Sequence, residues 1–123
     1  MSDLTFKQLR EANLARALRW HKGGLESWSV SDWATAMMGE AGEACNAIKK
    51  LRRIQDEIQN LSEPERQLNT VREAIQVIAF ELADTMIYLD LLAQRVGVEL
   101  ECAVVYKFNE VSEKYGFPER LPT

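Results

Sequence analysis

Two pairs of carboxylates hold most of the chemical information in this chain. Glu40 and Glu43 stand three residues apart, as do Glu81 and Asp84. On a helix that spacing turns both side chains of a pair the same way. Glu40 is the more telling member. Trp33, Ala36, Met37, Ala44, Ala47, Ile48 and Leu51 recur at helical intervals, and Glu40 lies within about 20° of the centre of their stripe at roughly 100° per residue. A carboxylate in an apolar stripe costs roughly several kcal/mol unless something neutralises it. Two such pairs facing each other would gather four negative charges, a donor set suited to a hard divalent cation, Mg²⁺ or Mn²⁺. Two plainer readings compete. Acids at this spacing often lie on a solvated face, which is the expectation for Glu43 taken alone. They can also be ion-paired with Arg or Lys.

Other polar residues interrupt apolar surroundings. From Ile75 to Ala93 apolar residues surround almost the whole helical circumference, which predicts a central helix or one covered by a partner subunit. Its exceptions Glu81, Asp84 and Tyr88 share a sector about 60° wide. Lys107 falls in a stripe with Leu100, Ala103, Val104, Phe108 and Val111. There it either extends its head to water or meets a buried anion such as a phosphate. Asn109 can hydrogen-bond a sugar or base, or satisfy the backbone of a neighbouring helix. Trp20 and Trp28 border a segment containing His21. Aromatic faces can stack a nucleobase and His21 can meet a phosphate or base edge, whereas Trp33 is expected in the core. The basic run Lys49, Lys50, Arg52 and Arg53 either steers a polyanion or forms a solvated helix end, favoured by the helix dipole.

The elements that must position these groups are helical. Thr5 and Gln8 form a capping box, with Leu4 and Leu9 as a staple, for a helix from about Thr5 to Trp20. After a loop over His21 to Val30, a serine (Ser29 or Ser31) caps a second helix that runs slightly beyond Arg53. Ser62-Glu63-Pro64-Glu65 predicts a short helix near Ser62 to Asn69. Thr70-Val71-Arg72-Glu73 predicts the start of another, ending at about Val96 before Gly97. The last helix spans about Glu99 to Tyr115. Strand alternation, internal repeats and low complexity are absent from the sequence. The expectation is a single all-α domain over residues 1–123, with four main helices and an additional short one.

Composition narrows the partners. A formal net charge of −4 argues against nucleic-acid binding. Glu81, Asp84 and Asp90 interrupt the apolar stretch Ala74 to Leu92, so no membrane span is expected. The N-terminus lacks the pattern of a signal peptide. Cys45 and Cys102 have no C-x-x-C partner and lie in Ala-rich helical surroundings. They are expected to be reduced, small, buried residues of a cytoplasmic protein.

Gly39-Glu40-Ala41-Gly42-Glu43 followed by Glu81-Leu82-Ala83-Asp84 resembles the E-x-x-E…E-x-x-D signature of MazG-type nucleotide pyrophosphohydrolases, of the all-α NTP pyrophosphatase superfamily. Tyr88-Leu89, Gly97-Val98-Glu99-Leu100-Glu101, Lys107-Phe108-Asn109-Glu110 and Tyr115-Gly116-Phe117-Pro118 extend the resemblance over roughly Ser29 to Leu121. It implies a four-helix bundle of MazG type. It also implies Mg²⁺ held by Glu40, Glu43, Glu81 and Asp84, and hydrolysis of a nucleoside triphosphate between its α- and β-phosphates. Glu43 or Glu40 would be the general base, Lys107 would hold a phosphate and Asn109 the sugar or base. The resemblance implies a homodimer or homotetramer. Here 37 residues, Ala44 to Phe80, separate the pairs, more than the family usually has. The surplus falls on Arg53 to Thr70, where an inserted short helix is expected. A di-iron bundle is disfavoured because His21 stands outside any E-x-x-H motif. The non-enzymatic alternative is a helical interaction module with ion-paired carboxylates.

Overall fold

The computed structural model describes the backbone of residues 3–58 and 64–123, and the side chains of 3–57 and 70–123. Among the described residues the chain forms four α-helices and one 3₁₀ turn, with no strand. Helix α1 spans Phe6–Trp20, α2 Val30–Ile58, α3 Pro64–Val96 and α4 Leu100–Tyr115; the 3₁₀ turn Gly24–Ser27 lies between α1 and α2. The all-α expectation therefore holds. No described helix is long and apolar enough to cross a membrane.

Local chemistry accounts for most boundaries. The Thr5 hydroxyl accepts the Gln8 N–H at 3.1 Å, and the Gln8 side chain accepts the Thr5 N–H at 2.8 Å, closing the expected box at the start of α1. Gly97 (φ 88°) and Gly116 (φ 70°) adopt the left-handed conformation that follows α3 and α4. The Val98 N–H then reaches the Ala93 carbonyl at 2.8 Å and the Phe117 N–H the Ser112 carbonyl at 2.8 Å. Both are Schellman ends, and both need a residue that tolerates positive φ.

One boundary differs from expectation. Helix α3 is continuous from Pro64, so no separate short helix precedes Thr70 and the Thr70 box opens nothing. The reason is in the sequence: between Pro64 and Ala74 there is no glycine or second proline, and Glu, Arg, Gln and Leu favour helix. The surplus length between the acid pairs extends α2 to 29 residues and α3 to 33. Ser62 and Glu63, the start of the expected short helix, lie outside the described residues.

The chain divides into two compact units, residues 1–30 with 90–123, and residues 31–89. In the first, α1 packs against the 3₁₀ turn and α4. Asp90 is 3% exposed, and its Oδ2 accepts from Asn13 Nδ2 and Gln94 Nε2, each at 2.9 Å. Gln94 also donates to the Arg10 carbonyl at 3.1 Å. These amides satisfy a buried acid that has no cation beside it. Arg95 fastens the 3₁₀ turn, donating to the Trp28 carbonyl at 3.0 Å and facing Glu26 at 3.6 Å.

The second unit holds α2 and most of α3. Trp33, Ala44 and Ala47 are its buried apolar residues on α2; Ala36, Met37 and Leu51 of the expected stripe are half-buried, and Ile48 is exposed, so the stripe is covered only in part. Its remaining apolar surface on α3 is open: Ile75, Val77, Phe80, Leu82 and Met86 are all exposed. The cysteines correct an expectation. Cys45 and Cys102 are both exposed. Ala-rich surroundings do not decide which way a side chain faces. Helical register does, and Cys45 lies about 140° from Glu40, off the buried stripe.

Candidate functional site

Two contacts set the pairing of α2 with α3. The Trp33 and Tyr88 rings lie 6.3 Å apart, tilted at 45°, and Glu40 meets Glu81. Seven residues forward along α2 match seven residues back along α3, so the helices run antiparallel. This register brings the acid pairs together. One carboxylate oxygen from each of Glu40, Glu43 and Glu81 lies within 4.8 Å of the others. Glu40 and Glu81 are half-buried, Glu43 and Asp84 exposed. Asp84 stands close enough to act electrostatically on both Glu40 and Glu81.

No cationic side chain compensates the cluster among the described residues. None of the four acids is ion-paired among the described residues. Glu81 Oε2 is fully buried and has no hydrogen-bond partner, an arrangement native structures seldom leave unexplained. Protons respond accordingly. Burial first, then the charges of Glu43, Asp84 and Glu81, push the Glu40 carboxyl above its ordinary 4.5, with a hydrogen bond to Glu43 adding to the effect. Glu81 is raised too, by burial, by a hydrogen bond to Glu43 and by the charges of Glu43 and Asp84. Burial and mutual repulsion therefore disfavour full ionisation of the cluster.

Gly39 and Gly42 were not singled out as shaping this site. A Cβ at either would meet nothing within 4 Å, so contacts within the chain do not require them. Each weakens a helix interior by about 1 kcal/mol relative to Ala. Two such residues around Glu40 in an Ala-rich helix were the available signal. They keep the flank beside Glu43 low and open.

Of the other candidate residues, Tyr88 belongs to the same unit as the cluster; the rest belong to the other unit. Lys107 is exposed and paired with Glu110 at 2.7 Å, which raises its pKa. It does not occupy a buried stripe, because Val104, Phe108 and Val111 beside it are themselves exposed. Apolar periodicity locates a stripe without saying what covers it. Asn109 is engaged with the C-terminal segment. It donates to the Leu121 carbonyl at 3.0 Å and accepts the Leu121 N–H at 2.7 Å. Its partner is backbone of the C-terminal segment, not of a neighbouring helix as expected. His21 and Trp28 meet edge-to-face at 4.8 Å. Trp20 is exposed beneath the Arg16 guanidinium at 4.7 Å.

Comparison with protein-family models, curated proteins and solved structures gives no match for this chain.

The raised carboxyls set a pH dependence. A group whose folded pKa exceeds its unfolded value binds more protons folded than unfolded, so stability falls as pH rises through that interval. The metal-free protein should lose thermal stability as pH rises above 4.5, the ordinary value for Glu40. Glu40→Gln should flatten this decline and melt a few degrees higher at neutral pH in EDTA, because it keeps the shape and removes one charge. Thermal melts across pH read both effects. A variant melting lower than wild type at every pH would instead mark Glu40 as half of an ion pair.

Proposed function

We propose that this protein is a Mg²⁺-dependent nucleoside triphosphate pyrophosphohydrolase. It would cleave a ribo- or deoxyribonucleoside triphosphate between the α- and β-phosphates, giving the monophosphate and pyrophosphate. The observation that carries this reading is the convergence of Glu40, Glu43 and Glu81 with no Arg or Lys ion pair among the described residues, and a buried Glu81 oxygen lacking a partner. The two-pair motif resembling the MazG signature supports it. The absence of ion pairs at these acids, among the described residues, counts against the interaction-module alternative.

The donor set fits the cation. Carboxylate oxygens are hard ligands, and Mg²⁺ commonly completes its octahedron with water and substrate phosphate. Glu40, Glu43, Glu81 and Asp84 would hold Mg²⁺, with Mn²⁺ as a substitute. The cation supplies charge neutralisation on the phosphates and lowers the pKa of water. The protein's part is general-base catalysis. Glu43 or Glu40 takes a proton as a water oxygen bonds to the α-phosphorus, and the bond from that phosphorus to the bridging oxygen breaks, releasing pyrophosphate. Tyr88, which packs on Trp33 in the same unit, would be a substrate contact.

Such an enzyme would sanitise or balance the nucleotide pool of the cytoplasm. A panel of NTPs, dNTPs and modified dNTPs with Mg²⁺ tests the reaction, with pyrophosphate as the measured product. Glu40→Gln should lower the rate by at least roughly 100-fold, since even outer-shell partners of a metal contribute up to that factor. Orthophosphate without pyrophosphate would mean a different bond is cut, and no release from any substrate would refute the activity.

The exposed residues Ile75, Leu82 and Met86 line one stripe of α3, and an open apolar stripe of this kind calls for cover. We assign that cover to a second copy of the chain, in a homodimer or homotetramer. Sedimentation equilibrium at micromolar concentration should give a dimer or tetramer mass; a monomer would contradict it.

A further inference from the structure

We propose that Lys50, supported by Arg53, is the receptor for the distal phosphates of the substrate, which places the triphosphate along α2 with its γ end toward the helix C-terminus. The inference rests on the proposed pyrophosphohydrolase reading and adds an orientation to it.

Register provides the first argument. At about 100° per residue, Lys50 lies within about 20° of Glu43, seven residues further on, and about 10.5 Å along the axis. Helical side chains lean toward the N-terminus, so the Lys50 ammonium leans back toward the acids. The gap is too long for a direct Glu43–Lys50 pair of the i, i+4 kind. It suits a chain of phosphates with one end at a cation on the carboxylates and the other at an ammonium.

The surface between them agrees. Gly42, Arg53, Asn46, Gly39, Lys50 and Glu43 occupy one sector of α2 about 100° wide, and all six are exposed. The two glycines leave open space there. No contact within the chain explains them, whereas a ligand lying close to the backbone would.

Charge provides an independent argument. Lys49, Lys50 and Arg53 are spaced for mutual repulsion at i, i+3 and i, i+4. Among the described residues, Arg52 alone in this run has an ion pair, to Asp56 at 3.3 Å. Lys50 has Asn46, Ala47, Arg53 and Ile54 at its three- and four-residue neighbours, so its own helix offers it no carboxylate. A bound polyanion would relieve this repulsion. Lys49 lies about 100° round the helix from Lys50, outside the sector, and serves as the control.

Calorimetric titration of the full chain with tripolyphosphate, in the presence of Mg²⁺, tests the proposal without turnover. Wild type should bind, Glu43→Gln should lose binding, and Lys50→Ala/Arg53→Ala should weaken it at least tenfold. Lys49→Ala should match wild type. All three basic positions are exposed, and circular dichroism verifies that each variant is folded. Equal affinity for wild type and the double variant would overturn the orientation while leaving the carboxylate site standing. Equal weakening by Lys49→Ala would reduce the effect to general electrostatics and also overturn it. Failure of wild type to bind would remove the cation–triphosphate reading, and this inference with it.

Discussion

The repulsion among Glu40, Glu43, Glu81 and Asp84 is the constraint around which the second unit is organised. Packing α2 on α3 would be simpler with apolar residues at positions 40 and 81. Carboxylates there are desolvated in part and face one another, which raises the pKa of Glu40 and Glu81 and opposes full ionisation. That cost persists only because the rest of the helix pair enforces the register. Trp33, 1% exposed, locks α2 against Tyr88 two turns away from Glu40. Ala44 and Ala47 are small enough to let the helices approach on the other side. Packing on both flanks supports the strained centre, a pattern expected of functional sites.

The first unit uses a buried acid in the opposite way. Asp90 is more deeply buried than Glu40, yet it accepts from two side-chain amides. Its charge is met by donors built into the fold. The contrast between Asp90 and Glu81 separates a structural acid from a functional candidate. Both interrupt the same apolar helix, but one is satisfied and the other leaves an oxygen without a partner.

Much of this was legible in the sequence. A capping box fixed the start of α1, and glycines the C-terminal ends of α3 and α4, because those signals act locally. The stripe around Glu40 located the buried Trp33, Ala44 and Ala47 through helical period, but its member Ile48 is exposed. Three things were not legible. The Thr70 box looked like a helix start, but a box signals a start only where the preceding residues cannot be helical, and here they can. The exposure of Cys45 depended on register rather than on neighbouring residue types. The stripe around Lys107 was real, but periodicity is silent about whether a stripe meets the chain's own core, another copy or solvent. The juxtaposition of the two acid pairs was anticipated from their facing helices; the orphaned Glu81 oxygen required coordinates.

Occupancy of the carboxylate cluster by a divalent cation is the claim on which the rest stands. Electron paramagnetic resonance of Mn²⁺ titrated with the protein tests it directly, because bound ion loses the sharp signal of the free ion. The account predicts that wild type quenches the free signal, that Mg²⁺ restores it by competition, and that Glu40→Gln or Glu81→Gln quenches it far less. A full free-ion signal in the presence of excess wild-type protein, or equal quenching by the variants, would contradict it.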